Sequence, residues 1–242
     1  MNTNIITQSI YAYLSARLGC STEELSGDGV LYVPNMSAEP PFLQLAAVGE
    51  RVIVSASPEL LPRVKDLTQG RSRDEIFELP LVYGQTIHFI PDKVTDRPMP
   101  DGYEYGLLEG EALYELAGLT GFPNSLAFDE DGQTGTGIVC FARSGGRIIA
   151  LAGAGQESGE LWEMGVDTDP AHRGKGLGAA LVGWLTRELI VRERVPFYSA
   201  SVTNIGSQSV ARRSGLRPCW VDTYSNVLRD GYIYKDFIKL LL

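Results

Sequence analysis

Residues Arg173 to Gly178 combine glycines with basic side chains immediately before a helical pattern. The stretch reads Arg-Gly-Lys-Gly-Leu-Gly, and leucines then recur every fourth residue from Leu177 to Leu189. The first N–H groups of a helix lack partners within the helix, and the helix dipole adds roughly half a positive charge there. Glycines let the backbone approach a ligand closely because they have no Cβ atom. The stretch therefore predicts a binding site for a phosphate or pyrophosphate group.

Two common phosphate motifs fit this stretch poorly. A P-loop has glycine, four residues and then Gly-Lys, but Asp169 stands five positions before Gly174. The dinucleotide fingerprint is formally matched by Gly174, Gly176 and Ala179. It also needs a carboxylate at the end of the following strand, and the next strand pattern ends without one. A nucleotide-dependent oxidoreductase stays as an alternative that NAD binding would distinguish.

Two stretches resemble motifs of one known family. Arg173-x-x-Gly176-x-Gly178 resembles the Q/R-x-x-G-x-G/A motif of the GNAT superfamily of acyl-CoA N-acyltransferases. After the next strand pattern, Asn204 to Leu216 resembles the family's N-x-x-(A/S)-x-x-x-Y-x-x-x-G-F ending, with leucine in the place of phenylalanine. The resemblance covers Tyr103 to Tyr224, about half of the chain.

The resemblance implies both a fold and an activity. The expected fold class is α/β (α+β), with a GNAT-like mixed sheet flanked by helices in the C-terminal part of the chain. The expected reaction moves an acetyl group from acetyl-CoA, as co-substrate, to a primary amine of a small molecule or protein. The amine would attack directly in a ternary complex. A coenzyme A-binding regulatory module without turnover is the alternative.

The resemblance also implies which residues meet the cofactor. Backbone groups on the fourth strand of the family's sheet would bind the pantetheine and the thioester, and the amides of the glycine turn would hold the pyrophosphate. The side chains of Arg173 and Lys175 either add charge there or point into solvent. The expected cofactor-binding residues are Val166, Asp167, Thr168, Arg173, Gly174, Lys175, Gly176, Leu177, Gly178, Ala179, Asn204 and Ser207.

Glu163 is the candidate catalytic residue. An ammonium group has no lone pair, so a base must first take its proton. Glu163 lies on the fourth strand, near the place where many relatives carry a base, and strand alternation puts it on the face opposite Trp162 and Met164. A surface carboxylate without a catalytic role is the structural alternative. Glu157 and Glu160 are the other candidate bases.

The chain departs from the family at the proton donor. Relatives often carry a tyrosine seven residues after the asparagine, where it protonates the leaving thiolate, but this chain has Ala211. Tyr198, Tyr224, a serine or water would have to substitute, or the thiolate leaves unassisted. Asn204 and Ser207 also suit helix capping.

Composition excludes several classes of partner. The 242 residues carry a formal net charge of −9, which argues against binding to nucleic acid or to an anionic membrane surface. Three widely separated cysteines predict reduced thiols in a cytoplasmic protein. The two histidines, His88 and His172, have no companion pattern for a metal site. The N-terminus does not read as a signal peptide, and no apolar run is long enough to span a membrane.

The pattern of elements predicts two parts. Residues 1–90 read as an N-terminal α/β module of unknown role, 91–102 as a proline-rich linker, and 103–242 as the GNAT-like domain. In the module, Ser57 is the expected cap of a helix reaching Leu67, and the apolar tail Tyr232–Leu242 is expected to be a core strand or packing segment. The module's role is left open among acceptor binding, a second lobe and assembly of a homodimer.

Overall fold

A computed structural model describes residues 3–94, 97–226, 231 and 233–242. The helices are α1 (Thr3–Leu18), α2 (Thr22–Leu25), α3 (Leu61–Thr68), α4 (Arg73–Phe77), α5 (Leu177–Val191), α6 (Ile205–Arg213) and α7 (Tyr234–Ile238). The strands are β1 (Gly29–Pro34), β2 (Leu43–Val48), β3 (Arg51–Ala56), β4 (Gln85–Pro91), β5 (Glu104–Glu109), β6 (Thr136–Ser144), β7 (Arg147–Ser158), β8 (Leu161–Thr168), β9 (Val195–Ser201) and β10 (Leu216–Thr223).

The described residues fall into two compact units that are not contiguous in sequence. One takes the described residues of Met1–Ser9, Phe89–Ala200 and Asn204–Pro218, and the other those of Ile10–His88, Ser201–Thr203 and Cys219–Leu242. These units therefore do not follow the expected division at 91–102, of which Thr95 and Asp96 lie outside the described residues.

The C-terminal residues belong to the unit of Ile10–His88 because they complete its sheet and its core. In that unit the strands are ordered β1-β3-β2-β10, and β10 pairs antiparallel with β2. Tyr234 and Ile238 of α7 are fully buried in one cluster with Leu43, Leu45 and Leu81. The tail is thus a packing helix, while Tyr232 lies outside the described residues.

Helix α3 begins at Leu61, so the expected helix start at Ser57 is wrong. The Ser57 hydroxyl accepts the N–H of Phe42 at 2.6 Å, at the entrance to β2, and therefore caps no helix. The N–H groups of Leu60 and Leu61 bond the Ser57 carbonyl, which makes a turn of the intervening Pro58 and Glu59. The long-range hydrogen bond from Phe42 thus replaces the local helix cap that a serine can form.

The other unit contains a five-stranded mixed sheet in the order β5-β6-β7-β8-β9. The first three pairs are antiparallel, and β8 and β9 are parallel. Helix α5 packs on β6, β7 and β8 and buries Leu181, Leu185 and Leu189 completely. A second buried cluster includes Leu113, Val139 and Leu151, the last two on β6 and β7. The predicted fold class, a mixed sheet flanked by helices, is confirmed.

Within the described residues, no helix combines the length and apolar character that a membrane span requires.

Candidate functional site

The glycine turn at the start of α5 is open and uncapped. Gly174 and Gly176 have φ angles of 76° and 84°, a backbone region that favours glycine. Gly176 is the N-cap and has no side chain with which to cap the N–H groups of the first turn. The nearest described atom to a Cβ placed on Gly176 is Pro100 Cγ, at 3.9 Å. The turn therefore offers free backbone donors and room for an anion beside them.

The two basic side chains of the turn, Arg173 and Lys175, have different surroundings. Arg173 Nε donates to the Thr168 carbonyl at 3.0 Å, which ties the turn to the end of β8. Lys175 is exposed. Pro100, from the stretch predicted to be a linker, also lies beside the turn, and its carbonyl accepts the Tyr105 hydroxyl at 2.6 Å. Desolvation by burial raises the pKa of Tyr105.

Gly178 brings the helix start against the end of β8. A Cβ at this position would lie 3.7 Å from Val166 Cγ2, 3.7 Å from Thr168 Oγ1 and 3.5 Å from Val210 Cγ2 of α6. These are ordinary packing distances. The start of α5 therefore lies next to the side chains at the end of β8, and Arg173 joins the two through the Thr168 carbonyl.

Backbone groups along β8 alternate between its two neighbouring strands. Asp169 donates its N–H to the carbonyl of Ile149, the residue opposite it at the β7 edge, and the Glu160 carbonyl accepts the N–H of Val195 at the start of β9. Successive residues of a strand direct their backbone groups to opposite sides. Odd-numbered residues of β8 therefore face β7, and even-numbered residues face β9.

The β8–β9 ladder covers only half of β8. Leu161 to Met164 pair with Val195 to Tyr198, and the described ladder stops there. Past that point the N–H and C=O groups of Val166 and the N–H of Thr168 point into the gap between the strands, while the groups of Asp167 point toward β7. The Thr168 carbonyl is occupied, because it accepts Arg173 Nε.

A cavity of about 400 Å³ lies where the two strands part. Its lining includes Glu163 and Gly165 of β8, Ser199 of β9 and Glu157 of β7. Alternation along β8 puts Glu163, Gly165 and Asp167 on one face, and Met164, which accepts the Thr186 hydroxyl of α5, on the other. The cavity thus opens on the sheet face opposite α5.

The segment at Asn124 and Ser125 forms one wall of the cavity and lies directly on the sheet. A Cβ on Gly165 would overlap the Asn124 carbonyl oxygen, and one on Gly153 would overlap that of Ser125. The Asp167 carboxylate accepts four hydrogen bonds from the segment. They come from the Asn124 N–H (2.9 Å) and Nδ2 (2.5 Å) and from the Ser125 N–H (3.0 Å) and hydroxyl (2.8 Å). We name this arrangement the Asp167 clamp.

The start of α6 carries a second pair of polar side chains. Asn204 caps the helix by accepting the Ser207 N–H at 3.0 Å. The Ser207 hydroxyl lies 2.5 Å from the hydroxyl of Tyr198, which is 2% exposed. Burial raises the pKa of Tyr198, although the bond to Ser207 opposes this. Ala211 is completely buried and offers no polar group.

Tyr198 stands beside the gap, since its register partner on β8 is Met164, the last paired residue. Paired residues of parallel strands share a face, so Tyr198 and Ser207 lie on the α5 side of the gap and Glu163 on the other side. The sequence analysis named Tyr198 among the possible proton donors, but its contact with Ser207 depends on the fold.

The described residues contain no group of three or more His, Cys, Asp or Glu side chains placed to hold a metal ion.

Comparison with known proteins gives the class and the family. Residues 108–216 match the family model described as the acetyltransferase (GNAT) family. None of the curated proteins matches the sequence. The chain is an acyltransferase by class. Residues 108–216 therefore form a domain of the acetyltransferase (GNAT) family.

Several solved structures are similar to the chain. A GNAT-family protein from Novosphingobium aromaticivorans has 22% identity and a TM-score of 0.43, over 70% of this chain and 81% of its own. A GCN5-related N-acetyltransferase-like protein from Streptococcus suis has 17% identity and a TM-score of 0.47, over 89% and 98%. A protein from Salmonella typhimurium, solved with its cofactor acetyl-CoA, has 19% identity and a TM-score of 0.31, over 40% and 69%.

Proposed function

We propose that the protein transfers the acetyl group of acetyl-CoA to a primary amine of a small molecule or protein, by direct attack in a ternary complex. One observation carries this proposal: the anion-binding turn lies next to the end of β8, where the strands have parted, and Arg173 joins the two. A cofactor with a pyrophosphate and a long polar arm fits such a continuous path. Its reactive end would reach the cavity that contains Glu163.

Different residues would bind different parts of the cofactor. The free N–H groups from Gly174 to Ala179 would bind the pyrophosphate. The backbone of Val166 and the N–H of Thr168 would bond the pantetheine, and the Val166 N–H would stabilise the negative charge that develops on the thioester oxygen. Asp167 would act through its side chain, as the clamp on the cavity wall.

Glu163 would serve as the general base. It lines the cavity on the face opposite α5, so an amine in the cavity meets its carboxylate and the thioester carbon together. Glu163 takes one proton from the ammonium form of the amine, and the neutral nitrogen then forms the new C–N bond and loses its second proton to solvent. The C–S bond then breaks, and the sulfur leaves as a thiolate.

Tyr198 would protonate that thiolate from the α5 side, with Ser207 bonded to its oxygen. Because its pKa is raised, the hydroxyl stays protonated at neutral pH. We expect Tyr198→Phe to lower kcat about 10-fold or more and to change the alkaline limb of the pH–kcat profile. Tyr224→Phe is the matched control. An unchanged kcat and pH profile in Tyr198→Phe would remove this residue from the mechanism.

The site assignment is tested by calorimetric titration with acetyl-CoA, with NAD as the comparison ligand. We expect micromolar binding of acetyl-CoA that Gly176→Glu abolishes, because a carboxylate at the turn repels the pyrophosphate. Gly146→Glu is the matched control, since Gly146 has a φ of 76° and no described atom near a Cβ. Equal acetyl-CoA affinity in the two variants would refute the pyrophosphate site, and preference for NAD would favour the oxidoreductase.

A coenzyme A-binding regulatory module without turnover is the second candidate, and Ala211 in the place of the family's tyrosine favours it. Release of free thiol from acetyl-CoA in the presence of a panel of primary amines separates the two. Turnover with any amine would exclude the regulatory module.

A further inference from the structure

A second cavity, in the unit that contains the acetyltransferase domain, has five basic residues among its eight described lining residues. It measures about 300 Å³, and its lining includes Lys93, Arg97, Arg212, Arg213 and Arg217; among the described residues Asp92 is the one carboxylate that lines it. The chain as a whole carries a net charge of −9, so the five basic residues around this small cavity have the opposite sign to the overall charge. Such a concentration of like charge favours an anion.

Backbone bonds at Gly215 bring the cations together. The Gly215 carbonyl accepts the N–H groups of both Asp92 and Lys93, at 3.0 and 3.1 Å. Gly215 has a φ of 87°, and a Cβ there would overlap the Lys93 carbonyl oxygen. The close approach therefore needs glycine. It holds Lys93 beside Arg212 and Arg213, which form the last turn of α6.

These charges are not neutralised by protein partners in the described part of the chain. No ion pair among the described residues involves any of the five cations. Arg212 and Arg213 suit the C-terminal end of a helix, which accounts for two of the cations. It does not account for Lys93, Arg97 and Arg217, which come from other segments.

We propose that this basic cavity binds a phosphate group of a small molecule. Arginine and lysine recognise phosphate through charge-assisted hydrogen bonds, and the volume suits a phosphate or diphosphate. The group could come from acetyl-CoA itself, through its ribose 3′-phosphate, or from a separate phosphate compound. Arg97 precedes Pro100 by three residues, a span of at most about 11 Å, and Pro100 lies beside Gly176 of the turn. The first source rests on the proposed function, and the second does not.

The test uses inorganic pyrophosphate as probe in full-length protein carrying Gly176→Glu, so that the turn is blocked. We expect calorimetric binding that weakens about 10-fold or more in Arg212→Ala/Arg213→Ala, because two charge-assisted contacts are lost. Arg71→Ala/Arg73→Ala, in the other unit, removes the same charge and is the control. No pyrophosphate binding in the Gly176→Glu protein, or equal affinities in the two double variants, would overturn the proposal.

A second titration identifies the source of the phosphate group, in protein with an unchanged turn. If acetyl-CoA binds about 10-fold tighter than its 3′-dephospho form and Arg212→Ala/Arg213→Ala loses the preference, the cavity serves the cofactor. If both forms bind equally while pyrophosphate binding still depends on the two arginines, the cavity serves a separate phosphate compound. Complete failure of acetyl-CoA to bind would refute the proposed function and leave the pyrophosphate result standing.

Discussion

Glu163→Gln is expected to lower kcat by about 100- to 10,000-fold, the usual contribution of a general base. Glutamine keeps the size and hydrogen-bonding oxygen of the side chain but cannot take the proton of the attacking amine. Acetyl-CoA should bind with unchanged affinity, because the turn and the backbone of Val166 and Thr168 are untouched. Assays of thiol release measure kcat, and calorimetry measures the affinity for acetyl-CoA.

The matched control for this change is Glu160→Gln. Glu160 is also exposed and close in sequence, but it precedes β8 and does not line the cavity. We expect it to retain full activity. The acidic limb of the pH–rate profile should disappear in Glu163→Gln only, since that limb reports protonation of the base. Activity in Glu163→Gln within threefold of the unsubstituted protein would leave Glu163 as a surface carboxylate.

Asp167→Ala is expected to free the segment at Asn124 and Ser125, one wall of the cavity, from its hydrogen bonds to β8. The carboxylate accepts four hydrogen bonds from Asn124 and Ser125, and Ser125 is buried. Because Asn124 is exposed, we expect the loss in unfolding free energy to be about 3 kcal/mol, less than four charged hydrogen bonds in sum. A displacement of the wall by about 1 Å should lower kcat/KM for the amine about 100-fold.

Two further variants make the Asp167 clamp falsifiable. Asp131→Ala, an exposed carboxylate in the same connection between β5 and β6, should change neither stability nor activity. Gly165→Ala should reproduce the loss of amine kcat/KM by a separate route, since its Cβ overlaps the Asn124 carbonyl oxygen. If Asp167→Ala weakened acetyl-CoA binding and spared the amine KM, the carboxylate would belong to the cofactor site instead.

The sequence predicted the elements whose signals are local. In α1, the apolar residues Ile6, Ile10, Leu14 and Leu18 follow each other at four-residue spacing, which is typical of a helix, and all four are buried. The glycine turn was recognisable because the φ angles and the missing Cβ that it requires are properties of glycine itself. The sheet of the acetyltransferase domain followed from alternating strands and the family resemblance.

The remainder depends on contacts between residues far apart in the chain. The Asp167 clamp joins residues more than 40 positions apart, and no local pattern distinguishes its carboxylate from a solvated one. The direction of the Val166 and Thr168 backbone groups depends on the register with β7 and on where the β8–β9 ladder stops. Ser57 shows the same limit, because its hydroxyl was needed by Phe42 across the hairpin.

The unit of Ile10–His88 cannot complete its core until the C-terminal end of the chain has been synthesised. Its core includes Leu81 together with Tyr234 and Ile238. At about 5–20 residues per second, the stretch between Leu81 and Tyr234 takes roughly 8 to 30 s to make. During that interval the apolar residues of the nascent N-terminal segment that pack against Tyr234 and Ile238 in the folded protein stay uncovered. Chaperones that shield such surfaces therefore have their longest opportunity before the last two dozen residues emerge.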